Sequence, residues 1–383
     1  MIGPHIVAVA QTPYSLSWRG ASLEEMIYQT VAGLLRQAHI TLRDVDHVSI
    51  AASDGLDGRA ISPMLTAASA GSVGKDLINS ASASEHALLL ACLRLLSGEA
   101  RMALVASWAK PSESDLAGVD SASLDPFFHR PLGADRTTYL ALQASAYCER
   151  YGIGRAEAAQ VVIKNRSAAA RNPLGLRPPP IDERALAAAP MAAWPLSTTE
   201  LPTLVDGVVV MLVTNEDVAR SMTNRYAVVE GFGWASDTYW LGERAPGALD
   251  SLRLAAHMAY ERAGLKGIHD NVDFIELSDL TPYHEFMAYE ALGLCEPGQG
   301  SAIVQADGLR AAGVTVNASG GLQAGYLDFA SGLERVAEVV RQVTGVAGEH
   351  QLEKAYRGVA HAVGGHAAQS NSVFVIAGVR RDG

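Results

Sequence analysis

Four stretches of this 383-residue chain carry side chains whose types and spacing can do chemistry. The first is "NSASASEHALLLACLRLLSG", where Ser80, Ser82 and Ser84 crowd the turn before a helical pattern at 84–97. A helix start offers free N–H groups and the positive end of the dipole to an anion or a nucleophile. A serine acting there needs a base within hydrogen-bond reach, and Glu85 and His86 are nearest in sequence. Side chains so close together at a helix start seldom align as a pair, so N-capping is the expected role.

The second stretch, "ELSDLTPYHEFMAYEALGL", runs from a strand past Ser278 and Asp279 into a helix, so Asp279 is either a base or the helix N-cap. The third, "VNASGGLQAGYLDFASG", sets a Gly pair and a further Gly ahead of a helix from about Ala330 to Val343. Such a turn admits a ligand close to the backbone, and Tyr326 within it is either a site residue or a packed aromatic. The fourth is the tail, where His361 and His366 flank a Gly pair before a final strand. With that spacing and no third ligand nearby, no metal is expected, and satisfied or exposed imidazoles are the default.

These residues need a scaffold, and the composition describes one. Hydrophobic residues make up 49% and charged residues 19%, which excludes disorder as the dominant state. The net charge of −11, with no long Lys/Arg run, argues against nucleic acid or an anionic membrane surface as partner. No apolar stretch reaches the roughly 18 residues of a membrane span. Met1 to Gln11 lacks a basic region and a cleavage site, so a cytoplasmic protein is expected. Cys92, Cys148 and Cys295 are odd in number and far apart, so neither disulfides nor a structural metal are expected.

Periodicity predicts a strand over His5 to Ala10, a helix over Leu23 to Gln37 and a strand over Val48 to Ala52. After Leu77 and Ile78 come the serine turn, its helix, and a strand at Met102 to Ser107. Residues 112–196, rich in Pro and with helical patterns at Thr138 to Arg150 and Arg155 to Ala170, read as an inserted lobe before the strand Gly207 to Thr214. A helical pattern returns at Leu249 to Ala263. The text after it, "GLKGIHDNVDFIELSDL", parallels "HITLRDVDHVSIAASDG" of residues 39–55. A repeat spaced by roughly 225 residues is too long for a solenoid and points to two similar α/β halves, 1–222 and 223–383.

The same segments resemble the thiolase superfamily, most closely its sterol-carrier-protein type, over nearly the whole chain. "YEALGLCEPGQG" at 289–300 is similar to the family's text almost letter for letter. "VTVNASGG" resembles its Asn-Pro-Ser-Gly-Gly element, "LVDGVVVMLV" its Asp-Gly strand, and "HAVGG" its C-terminal His-Asn-x-Gly-Gly. The resemblance implies an α/β thiolase fold: duplicated βαβαβαββ halves in a five-layered αβαβα arrangement, with a helical loop domain inserted. It also implies a dimer or larger oligomer, acyl-CoA thioesters as substrates, and substrate-binding roles for Asn317, Ser319, Gly320 and Gly325. No tightly bound cofactor is implied, coenzyme A entering as part of the thioester.

The family's chemistry is missing. Counted back from "SGEA", its nucleophilic Cys falls on Ala81, or on Ser82 with a shift of one residue. Its His-Asp-Cys-Phe element falls on Ser278, Asp279, Leu280 and Thr281, which removes the oxyanion His and the acid/base Cys. Its Gly-His-Pro becomes Gly325, Tyr326, Leu327, with Phe329 where a Gly is usual. Ordinary Claisen chemistry is therefore not expected. Some thiolase-like proteins that lack the Cys act as retro-aldolases on β-hydroxyacyl-CoA side chains of steroids, with a small OB-fold, zinc-ribbon partner. On that pattern Tyr326, Asp279 and either Asp328 or His361 are the catalytic candidates. The alternatives are a non-catalytic subunit of a hetero-oligomeric acyl-CoA thiolase, suggested by apolar Ala81, Leu280 and Phe329, and a Ser82-dependent acyltransferase.

Overall fold

The computed structural model describes residues 3–305, 309 and 313–380. Ten strands carry the framework: β1 (His5–Gln11), β2 (His47–Ala51), β3 (Asp76–Ser80), β4 (Met102–Ala109), β5 (Gly207–Thr214), β6 (Arg225–Ser236), β7 (Phe274–Glu276), β8 (Thr315–Val316), β9 (Arg357–Gly364) and β10 (Ser370–Arg380). Their order is β8-β7-β9-β10-β6-β1-β5-β4-β2-β3. Counted outward from the junction, each half runs first, fifth, fourth, second, third. In each half the second strand pairs in parallel with the third and fourth, and the remaining pairs are antiparallel. Within the sheet the halves are joined where His5 faces Val228 and Ile6 faces Ala227. This repeated order is the duplicated βαβαβαββ thiolase pattern.

The longer helices are α1 (Leu23–Gln37), α2 (Ser84–Leu96), α3 (Leu116–Ser123), α4 (Arg136–Tyr151), α5 (Arg155–Ala169), α6 (Asp250–Ala263), α7 (Pro282–Leu292) and α8 (Ser331–Thr344). In α1, Leu23, Met26, Ile27, Val31, Leu34 and Leu35 form one buried stripe, and Ser22 with Glu25 closes a capping box. That stripe packs on one face of the N-terminal strands, while α6 and α7 pack on the outer face of the C-terminal strands. Helices α2 and α8 fill the layer between the two sheet halves, giving αβαβα. Helices α3 to α5 belong to the lobe between β4 and β5, which also holds a two-stranded hairpin, Met191–Ala193 with Leu196–Ser197, that periodicity did not predict. No helix among the described residues is long and apolar enough to cross a membrane.

Two buried polar networks fasten the layers. Helix α8 has no exposed residue, although it contains Glu334, Arg335, Glu338, Arg341 and Gln342. Arg335, 0% exposed, donates to Glu334 (2.6 Å), to Glu276 at the end of β7 (3.1 Å) and to Ser319 Oγ (3.1 Å). Ser319 in turn donates to Glu276 at 2.6 Å. In the second network, Asn165 of α5 offers its Nδ2 to both Asp279 (2.8 Å) and Glu285 (2.7 Å). Lys164 pairs with Glu285 at 2.9 Å, and the Leu322 N–H donates to Asp279 at 2.8 Å. Burial and the neighbouring Glu285 charge push Asp279 up to about 8.

Two outcomes are expected. Arg335→Ala leaves two buried carboxylates unpaired, and denaturant titration should register a loss of about 3–5 kcal/mol. The folded Asp279 carboxyl keeps its proton to about pH 8, whereas an unfolded one releases it near 3.8. Its contribution to stability therefore declines as pH rises through that window. Asp279→Asn cannot titrate, so comparing urea midpoints at pH 5 and pH 8 should show a flatter decline than in the wild type.

Candidate functional site

Loops that follow the carboxyl ends of β2, β3, β7, β8 and β9 converge under the inserted lobe. There they enclose a cavity of about 380 Å³. Of the residues singled out in the sequence, Ser82, Leu280, Tyr326, Asp328, Phe329 and His366 line it.

Ser82 is exposed on the wall, with its Oγ 2.6 Å from His86 Nδ1 and 3.1 Å from Ser80 Oγ. The expectation of serine N-capping is corrected. The N-cap of α2 is Ala83, and no side chain bonds to the helix start. Ser84 is unavailable because its Oγ accepts the Leu333 N–H of α8 at 2.9 Å. The Ser82–His86 pair thus forms despite the short sequence spacing. Ala81 is exposed but does not line the cavity, so Ser82 is the residue this turn presents.

Tyr326 is fixed by its backbone, which donates to Thr203 O (2.8 Å) and accepts from Val205 N (3.0 Å). Burial, reinforced by the negative Asp328, raises its phenol above the ordinary range, so it stays a proton donor. Asp328 sits in the left-handed region at φ 43°, which an Asp tolerates but does not prefer. Arg136, at the start of α4, holds it there through a 2.8 Å bond. The same guanidinium grips Asp120 of α3 through Nε at 2.9 Å and Nη2 at 2.7 Å. Opposite, His366 Nε2 lies 2.9 Å from Ser123 Oγ, and burial lowers its pKa, so the imidazole is neutral at neutral pH.

The remaining candidates lie behind the wall. Asp279 faces Asn165 and Leu322, and the cap of α7 is Thr281, whose side chain accepts from His284 N; the capping role expected for Asp279 is corrected accordingly. His361 is 2% exposed, shares a 2.9 Å bond with Asn371, and is pushed down to about 4 by burial. Ser278 donates to the His361 carbonyl at 3.1 Å. None of these three reaches the cavity.

The four residues expected to bind substrate are likewise absent from the cavity wall and instead shape the turn behind it. Asn317 accepts from Leu277 N (2.7 Å) at φ 54°, and Ser319 is held by Glu276 and Arg335. Gly320, at φ 92°, lies where a Cβ would meet Ala169 at 2.5 Å. Gly325, at φ 139°, lies where one would meet the Tyr14 ring at 2.6 Å.

Sequence reasoning missed Asp120, Ser123 and Arg136, and it gave His366 no role. Arg136 and Asp328 are 192 positions apart, and no spacing rule joins a lobe helix to a turn of the other half. The signal available for His366 was its place beside the Gly pair where β9 ends. No cysteine lines the cavity, and burial pushes the Cys92 thiol up to about 12. Among the described residues, no group of three or more His, Cys, Asp or Glu side chains is placed to hold a metal.

Comparison with known proteins agrees with this architecture. The family described as thiolase C-terminal domain-like matches residues 233–377. The chain is similar to an acetyl-CoA acetyltransferase of Methanothermobacter thermautotrophicus, 27% identical over 369 residues, covering 94% of this chain and 96% of that protein. It is also similar to sterol carrier protein 2 of Rattus norvegicus, 41% identical over 117 residues, covering 30% of this chain and 21% of that protein. Among solved structures, the Ltp2-ChsH2(DUF35) aldolase superposes with a TM-score of 0.83 at 17% identity, covering 98% of this chain and 97% of that one. At that identity the superposition establishes the fold alone. The fold is that of thiolases, residues 233–377 match the thiolase C-terminal domain-like family, and the chain is similar in sequence to an acetyl-CoA acetyltransferase and to sterol carrier protein 2.

Proposed function

We propose that the cavity binds an acyl-CoA thioester and cleaves a carbon–carbon bond of its β-hydroxyacyl group by a retro-aldol step, with no covalent acyl-enzyme. The observation that carries this reading is the make-up of the wall: a protonated tyrosine and a neutral histidine, and no cysteine. His366 accepts the β-hydroxyl proton as the Cα–Cβ bond breaks, releasing a carbonyl product. Tyr326 donates a hydrogen bond to the thioester oxygen, where the enolate charge develops. Protonation of Cα by His366 then yields the shortened acyl-CoA. Asp279 and His361, buried behind the wall, support the turns rather than touching substrate.

Leu56, Val119, Leu140, Leu280 and Phe329 suit a bulky apolar acyl group, such as a steroid or aromatic side chain. A homodimer or heteromer through the thiolase-type interface belongs to this proposal, with a small OB-fold, zinc-ribbon protein as candidate partner. It is supported by the likeness in fold to the Ltp2-ChsH2(DUF35) aldolase. A second reading, a non-catalytic subunit, is favoured by Leu280, which puts an apolar group where the resemblance implies a catalytic cysteine, and by Phe329, which adds a ring where it implies a glycine.

The test is mass-spectrometric detection of a shortened acyl-CoA and a carbonyl fragment from a β-hydroxyacyl-CoA with a bulky apolar group. Tyr326→Phe and His366→Gln are each expected to lower kcat by about 10²–10⁴-fold. Alkylation with iodoacetamide is expected to leave turnover in place, and its loss on alkylation would contradict a cysteine-free mechanism. Thermal stabilisation by the thioester without cleavage, alone or with a partner subunit, would select the non-catalytic reading.

A further inference from the structure

We propose that Ser82 and His86 form a nucleophile–base pair that hydrolyses acyl-CoA thioesters, an activity distinct from carbon–carbon cleavage; it shares with the proposed function only the binding of a thioester in this cavity. Ser82 Oγ and His86 Nδ1 are 2.6 Å apart, within the reach that proton transfer from an attacking hydroxyl requires. Ser82 is the hydroxyl that the α2 turn turns toward the cavity, and it is free of the capping role that ordinarily occupies a serine there.

The surroundings supply the other parts of such a site. Ser80 Oγ, 3.1 Å away, gives the Ser82 hydroxyl a second partner and restricts its rotamer. Helix α2, 13 residues long, begins without a side-chain cap just after Ser82, so the positive end of its dipole favours an oxyanion formed there. The next residue, Glu85, is 1% exposed, and its Oε1 has no hydrogen-bond partner. It adjoins His86 in sequence, where an imidazolium forms during the reaction. With Ser82 donating to Nδ1, the ring proton of His86 resides on Nε2, which is enclosed and meets no other polar group. The base therefore keeps one tautomer without a direct carboxylate bond, an arrangement weaker than a full triad.

In the first step the Ser82 proton passes to His86 Nδ1, Oγ adds to the thioester carbonyl, the C–S bond breaks, and the sulfur leaves with that proton as free coenzyme A. Water then gives a proton to His86 and attacks the Ser82 ester. The acid departs and the proton returns to Ser82, so thioester and water become carboxylic acid and thiol.

The experiment measures thiol release from a saturated acyl-CoA that lacks a β-hydroxyl and so cannot undergo retro-aldol cleavage. In parallel, a fluorophosphonate probe is located on the chain by peptide mass spectrometry. Wild-type protein is expected to release coenzyme A and to be labelled at Ser82, and Ser82→Ala and His86→Gln to lose release by about 10²-fold or more. Absence of both release and label in folded wild-type protein overturns the proposal, as does release that persists in Ser82→Ala. The two products separate the two readings: failure of the retro-aldol reading removes the shortened acyl-CoA and leaves thiol release, whereas failure of this proposal does the reverse.

Discussion

The Arg335 guanidinium is the interaction on which the site depends. Moving a cation wholly out of water costs several kcal/mol, which only near-complete hydrogen bonding and close counter-charges can offset. Here the partners are Glu334 on its own helix, Glu276 at the end of β7 and Ser319 in the turn after β8. The central helix, the C-terminal strands and the glycine-rich turn are thereby fixed against one another. That turn continues to Tyr326, so the position of the phenol is inherited from an ion pair well behind it. At its far end the turn is caught by Arg136 from the inserted lobe. The turn that carries Tyr326 is held between two arginines, one dry and one half-wet.

The wall of the cavity differs from what the resemblance to thiolases implies. Where the resemblance implies a cysteine and a histidine, the chain has Leu280 on the wall and Ser278 turned toward a carbonyl. The groups behind the wall, Asp279, Glu285, Asn165 and Asn317, remain fully bonded to one another and keep the loops in place. Asp120, Arg136, Ser123 and His366 supply the polar edge of the cavity, and three of these four come from the lobe.

Much of the scaffold was legible because it is written locally. The stripe of α1 with its Ser22–Glu25 box, the uninterrupted apolar run of β5, and the paired Ser-Asp strand ends of the two halves each follow from a few adjacent residues. The site was only partly legible. Ser82 read as a cap because caps dominate that position, and nothing in the sequence says that Ala83 would take it or that α8 would claim Ser84. Asp279 read as reactive because carboxylates at strand ends so often are; its burial against Glu285 depends on Asn165, which arrives from another lobe. Arg136 carries no signature at all until the fold brings Asp120 and Asp328 to it.

The absence of any solvent face on α8 bears on how the molecule came to hold together. Every side chain of that helix is covered, some by α2 and the N-terminal strands and some by C-terminal strands. A single half would leave the charged and apolar sides of its middle helix alike facing water. The strand order is doubled, but the folding unit is not: the two halves share one interior and should melt as one, with neither surviving as a fragment.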